Sequence, residues 1–285
     1  MRFSIEFKGF IVIRTSHKLK LLVYLTNIIS FTSFALPQHL HVVMRPEKAK
    51  VISQLQQDIL LLQGYKPADG SAVDMGLGLI SEAFPNGSFP LGAVHEFLSQ
   101  CAEDLAATSG FIAGLLSRLM AKGGTSLWIS STRKLFPPAL GSFGIQPDRF
   151  IFVDLQKEKH VIWAMEEALK CSALTAVIGE MQEISFTSSR RLQLAVEQSQ
   201  VTGFILRKNS QNINTTACVS RWKITPLISV SADDLPGIGF PHWKVELVRM
   251  RNGKSGSWEV KWEDGRFQPV FKQASNVQVL QKKTG

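Results

Sequence analysis

The stretch Ser99-Gln100-Cys101-Ala102-Glu103-Asp104-Leu105-Ala106 joins a short apolar run to a longer one with helical spacing. In an α/β protein such a junction is where phosphate binds. Backbone N–H groups at the helix start cradle the anion, glycines let the chain curl around it, a lysine meets its charge and a Ser or Thr hydroxyl holds magnesium. Counted from the strand, the two glycine positions hold Ser99 and Asp104, the lysine position Leu105 and the hydroxyl position Ala106. Glu103 and Asp104 place negative charge where phosphate oxygens would sit, and read as first-turn acids complementing the helix dipole. The expectation is no nucleotide cofactor and no ATPase activity at this loop.

Other residues that could do chemistry stand apart. Glu180 follows an apolar run that reads as a buried strand, where a carboxylate can hold magnesium through water, and it is the candidate metal ligand; an acid at such a strand end is ordinarily solvated. Ser131-Thr132-Arg133 stands where an acid would activate water, so no general base is in evidence. Cys101, Cys171 and Cys218 show no CxxC spacing, which argues against zinc and fits a reducing compartment. His95 lies inside an apolar run and reads as a satisfied core histidine. No G-x-S-x-G elbow and no H-E-x-x-H motif occurs.

The elements that must position these residues alternate. Apolar runs at 93–98, 126–130, 150–155, 174–178 and 203–207 read as strands, and helical spacing covers 104–122, 157–170 and 188–199. A short helical piece lies around 135–140. Such alternation calls for an α/β fold with a mostly parallel sheet covered by helices on both faces. Beyond residue 208 the text changes. The runs 244–250 and 258–262 alternate around Asn252-Gly253-Lys254-Ser255-Gly256 and read as an antiparallel hairpin at the sheet edge, and 219–224 alternates as well.

The chain of 285 residues carries a net charge of +9, of which residues from 44 onward account for +5. That excess is compatible with phosphate contacts and with a merely soluble surface. Arg190 and Arg191, Arg207 and Lys208, and Arg249, Arg251 and Lys254 are candidate DNA contacts; the alternative is a solvated face. Trp243, Trp258 and Trp262 are either partner anchors or cross-strand core pairs.

Residues 1–43 combine basic residues with a nearly unbroken apolar run, 19–36, ending before Pro37. A signal peptide, a membrane anchor and a non-native extension compete. Met44 opens a different text, with Val51, Leu55, Ile59 and Leu62 at helical spacing and a stop at Gly64. The organisation expected is an extension over 1–43, a helix and linker over 44–70, the α/β domain over 71–272 and a flexible tail over 273–285. Met44 is read as the native start, with a cytoplasmic location and no membrane partner.

The turn and strand Pro85-Asn86-Gly87-Ser88-Phe89-Pro90-Leu91-Gly92-Ala93-Val94-His95-Glu96-Phe97 resembles the segment that precedes the phosphate loop of RecA recombinases. With Ile59-Leu60-Leu61-Leu62-Gln63-Gly64 and the Trp243-Lys244-Val245-Glu246-Leu247 to Gly256-Ser257-Trp258 hairpin, it is similar to the ImuA family over residues 44 to about 272. The resemblance implies a RecA-like fold and a non-catalytic role in SOS mutagenesis and error-prone translesion synthesis. It implies two partners, an ImuB-like Y-family polymerase homologue and a damage-inducible replicative-type polymerase, with RecA itself and weak DNA contact as further possibilities. A SulA-like cell-division inhibitor and a divergent ATPase or DNA-binding recombinase paralogue are the alternatives.

Overall fold

A computed structural model describes residues 3–4, 11–15, 55, 73–132, 135–209, 213–229 and 239–270. One sheet of eleven strands organises them. In chain order the strands are β1 (Phe3–Ser4), β2 (Ile11–Thr15), β3 (Val94–Leu98), β4 (Thr125–Ser130), β5 (Phe150–Leu155), β6 (Leu174–Met181), β7 (Thr202–Arg207), β8 (Ser220–Pro226), β9 (His242–Met250), β10 (Gly256–Glu263) and β11 (Arg266–Pro269). Across the sheet they run β1-β2-β5-β4-β6-β7-β3-β8-β9-β10-β11. Neighbours from β2 to β8 pair in parallel; β1 with β2, and each neighbour pair from β8 to β11, are antiparallel.

Among the described residues three multi-residue α-helices complete the layers: α1 (Ala102–Leu119), α2 (Glu158–Leu169) and α3 (Phe186–Ser199). β3 and β7 are buried along their whole length, as strands covered on both faces must be. On one face Phe111, Leu115 and Leu116 of α1 meet Phe97, Trp222, Trp243 and Trp262. On the other, Val161 and Met165 of α2 and Leu192 and Val196 of α3 meet Val94, Ile129, Val177 and Ile205. This is the mostly parallel α/β sheet, with helices on both faces and antiparallel C-terminal strands at its edge, that the alternation predicts.

Two features go beyond the sequence reading. The alternating run near 219–224 becomes β8, an internal strand parallel to β3. The chain also turns once more after the hairpin, through Asp264 (φ 52°) and Gly265 (φ 70°), into β11. An Asp-Gly pair between two strands favours the left-handed values that a two-residue hairpin turn needs. The helix and linker expected over 44–70 and the tail over 273–285 lie outside the described residues, except for Leu55, which is helical and exposed.

The C-terminal strands reach α1 because α1 is shaved where they cross it. A Cβ on Gly114 would stand 2.6 Å from Phe267 Cζ and 2.9 Å from Trp262 Cζ3, and one on Gly110 would stand 3.2 Å from the Trp243 ring. Gly114→Ala is therefore expected to destabilise the protein by about 1–3 kcal/mol. Gly110→Ala should cost less; thermal melting of the two variants checks both the direction and the order.

Candidate functional site at the strand ends

Chain order reverses between β4 and β6: β4 leads to β5 on one side and β6 to β7 on the other. Ligands of open α/β sheets bind in the crevice at such a point, outside the carboxyl ends of the strands. Here the crevice is bordered by the start of α1 and by the ends of β3, β4, β6 and β7.

The start of α1 is satisfied by the chain itself. Asp104, in the first turn, accepts a hydrogen bond from the Gln100 backbone N–H at 3.2 Å. The Glu103 carboxyl is held below the usual carboxylate range by its own backbone N–H and then by the Cys101 thiol. Ser99 is buried, its hydroxyl 3.1 Å from that of Thr108, and Leu105 is buried while Ala106 faces outward. Negative charge thus occupies the helix end that would attract an anion. The cavity beside it, lined by Cys101, Ala102, Leu105, Thr132, Gln182, Lys208 and Asn209, measures about 130 Å³. Ligand pockets begin at roughly 300 Å³.

Glu180 is not the solvated acid that its strand-end position suggests. Only 1% exposed, it accepts a hydrogen bond from Trp128 Nε1 at 2.7 Å and lies 3.6 Å from the Lys208 ammonium. That ammonium also donates to Thr132 Oγ1 at 3.1 Å. Its negative charge is matched by a lysine rather than shared with other acids. Among the described residues no group of three or more His, Cys, Asp or Glu side chains could hold a metal ion.

Two of the candidate DNA contacts are corrected outright. Lys208 is buried against Glu180, and Arg207, 1% exposed, donates to Glu96 Oε1 and to Asn214 Oδ1, both at 2.9 Å. Glu96 itself is fully buried and receives Arg221 Nε at 2.7 Å and the Thr216 hydroxyl at 2.9 Å. Arg249 and Arg251 do not point outward as a phosphate-binding pair. Arg249 donates to the Thr216 and Cys218 carbonyls and Arg251 to that of Ala217. Four guanidinium groups therefore clasp the segment 214–218. Arg191 forms a two-pronged pair with Glu166, tying α3 to α2, and Arg190 lies 3.9 Å from Glu197. Lys254 is exposed. Trp243 and Trp262 are core residues, and Trp258 is half-buried against the same core, so the three tryptophans pack inward within this chain.

His95 is a satisfied core histidine, as its apolar surroundings suggest. Its Nε2–H donates to the Pro90 carbonyl at 2.8 Å, so Nδ1 accepts from the Ser220 hydroxyl at 2.6 Å, and that hydroxyl in turn accepts from Trp222 Nε1. The relay fastens the turn at residue 90 to β3 and β8. Burial pushes the imidazole down from 6.5 to about 4, against the opposing Pro90 bond.

Missed in the sequence were Glu96, Arg221 and Trp128. A charged residue inside an apolar run, Glu96 in Val94–Leu98 and Arg221 in Ser220–Pro226, is the signal that would have found the first two. Missed too was an apolar groove of about 780 Å³ over the outer side of α1. Its floor is Ala102, Leu105, Ala106 and Ser109, with Glu180 at its base. One wall is the segment 135–143 and the other the residues 226–229 and 239–243 that flank β8 and β9.

The fold and site define an open, mostly parallel α/β sheet whose switch point presents the chain's own carboxylates beside an apolar groove. No protein-family model matches the chain. Two Caulobacter vibrioides strains each hold a curated relative, Protein ImuA, 32% identical over 202 residues, 67% of this chain and 83% of the relative. The cell division inhibitor SulA of Photorhabdus laumondii is 28% identical over 104 residues, 36% of this chain and 59% of that protein. The chain belongs to the ImuA family.

Two predictions follow from the buried charges and the histidine relay. Glu96→Gln leaves Arg207 and Arg221 facing a neutral amide in the core, and denaturant unfolding should show a loss of about 3–5 kcal/mol. For His95, an unfolded imidazole near 6.5 takes up a proton that the native one resists down to about 4. Its contribution is therefore complete above pH 6.5, declines as pH falls from 6.5 to about 4, by on the order of 3 kcal/mol, and levels off below. His95→Gln should remove that slope, whatever it does to stability at pH 8.

Proposed function

We propose that the chain is a non-catalytic accessory protein of damage-induced, error-prone translesion synthesis. It acts in the cytoplasm as a bridge between an ImuB-like Y-family polymerase homologue and a damage-inducible replicative-type polymerase. One observation carries the non-catalytic half: the helix start that would bind a phosphate is occupied by Glu103 and Asp104, with Leu105 buried where a lysine would act. Like charge there raises the energy of any triphosphate, and no lysine offsets it. Family membership supports the mutagenesis half. Direct DNA contact has a narrow basis, because most of the candidate cations are already paired within the protein. RecA remains a candidate third partner.

The shared stretch with SulA favours a second reading, a damage-induced inhibitor of cell division. Deleting the gene and exposing the cells to ultraviolet light separates the two. The accessory role predicts that induced mutation frequency falls to the uninduced background while filamentation after damage is unchanged. It also predicts that the Y-family polymerase homologue co-purifies with the tagged full chain. Loss of filamentation with mutation frequency intact would overturn the proposal in favour of the division inhibitor.

A further inference from the structure

The segment that joins β7 to β8 is exposed at 213–215 and is nonetheless fastened on both sides. Toward α3, the Asn214 side chain donates to the Ile184 carbonyl at 2.7 Å and the Ala217 N–H to Ser189 Oγ at 2.9 Å. Toward β8 and β9, Arg249 and Arg251 donate to the carbonyls of 216–218, and Arg221 to that of Asn214 at 2.6 Å. An exposed apolar side chain stands on each of the three pieces so joined. Phe186, the first residue of α3, and Ile213 are each 55% exposed, and Val248 of β9 is 49% exposed. The register of β9 against β8 shifts between Arg221 and Trp222, which leaves Val248 without an opposite residue. Exposed apolar side chains on a support this firmly held mark an interaction site, because little ordering is left for the bound state.

The charge around them is of one sign. No Asp or Glu occurs from 198 to 232, a stretch that carries Arg207, Lys208, Arg221 and Lys223. Arg207 and Arg221 share the buried carboxylate of Glu96, and among the described residues Arg249 and Arg251 meet only backbone carbonyls. A carbonyl fixes the direction of a guanidinium group and leaves its charge in place. Such a surface attracts carboxylates. Phosphate is attracted too, but the aliphatic Ile213 and Val248 offer a nucleic acid nothing to stack on, and both bury well against a partner's apolar side chain.

We infer that Phe186, Ile213 and Val248, with Arg249 and Arg251 beside them, form a docking surface for a partner protein that presents apolar side chains flanked by Asp or Glu. The apolar groups are buried in the contact, and the carboxylates meet guanidinium N–H groups that the carbonyls do not use. The inference goes beyond the accessory reading, which assigns no surface to any partner, and does not rest on it.

The test needs no known polymerase. A display library of random peptides about 12 residues long is selected against the full chain, with the Ile213→Glu protein as counter-target. Ile213 and Val248 are exposed, so a charge placed at either alters the surface without entering the core, and should one variant melt early the other decides. Enriched peptides should carry Leu, Ile, Phe or Trp next to Asp or Glu. Their affinity, read by fluorescence polarisation, should fall at least about ten-fold on Ile213→Glu, Val248→Asp and Arg251→Glu, and should weaken with added salt. It should be unchanged on Phe136→Glu, beside Leu135 on the other face of the sheet. The inference is overturned if nothing is enriched, if the enriched peptides lack acids, or if Ile213→Glu and Val248→Asp bind them as well as the parent does. An oligo-dT strand of about 15 nucleotides is titrated alongside. Tighter binding of that strand than of any selected peptide, lost on Arg251→Glu, would make this a nucleic-acid surface and overturn the inference equally. So would a dimer in sedimentation that Ile213→Glu dissolves, since a second copy would then cover the site.

Discussion

Glu96 is a carboxylate with no access to water in the middle of the sheet, and much of the structure is arranged to make it tolerable. It sits on β3, between β7 and β8, and each of those neighbours supplies an arginine to it: Arg207 at 2.9 Å and Arg221 at 2.7 Å. A buried acid is costly unless it is paired and fully hydrogen-bonded. The two guanidinium groups and the Thr216 hydroxyl meet that demand only if β8 lies against β3 in its observed register. With β8 fixed there, β9, β10 and β11 follow by antiparallel pairing and their aromatic side chains are laid across α1. The glycines at 110 and 114 accommodate them. The arginines of the hairpin are then drawn inward to hold 214–218, the segment that delivers Thr216 to the cluster.

The same economy shapes the strand ends. The charges available there are matched locally: Lys208 with Glu180, and the first turn of α1 with its own acids. Among the described residues, what remains over the outer side of α1 is largely apolar. The large core that α1 shares with Phe97, Trp222 and Trp243 holds the groove floor in place.

The sequence made the parallel half of the fold legible because its periodicity is strong. The runs at 93–98, 126–130, 150–155, 174–178 and 203–207 all became strands, and the helical spacing between them became α1, α2 and α3. The composition of the loop after β3 was equally plain, since residue type alone says what Leu105 and Ala106 lack. The fate of the arginines was hidden. Arg207, Arg249 and Arg251 look like surface cations, and only the fold brings Glu96 and the 214–218 carbonyls, which lie far from them along the chain or across a loop, to within bonding distance. The groove was illegible for a related reason: its walls come from segments about ninety residues apart, and an exposed alanine carries no mark of being a floor.

We propose that the strand ends of this protein are closed to nucleotide by the chain's own residues. Titrating ATP with magnesium into the purified full chain by calorimetry tests it most directly. The account predicts no saturable heat at millimolar nucleotide. Micromolar binding at a single site, lost on Leu105→Arg, would contradict it.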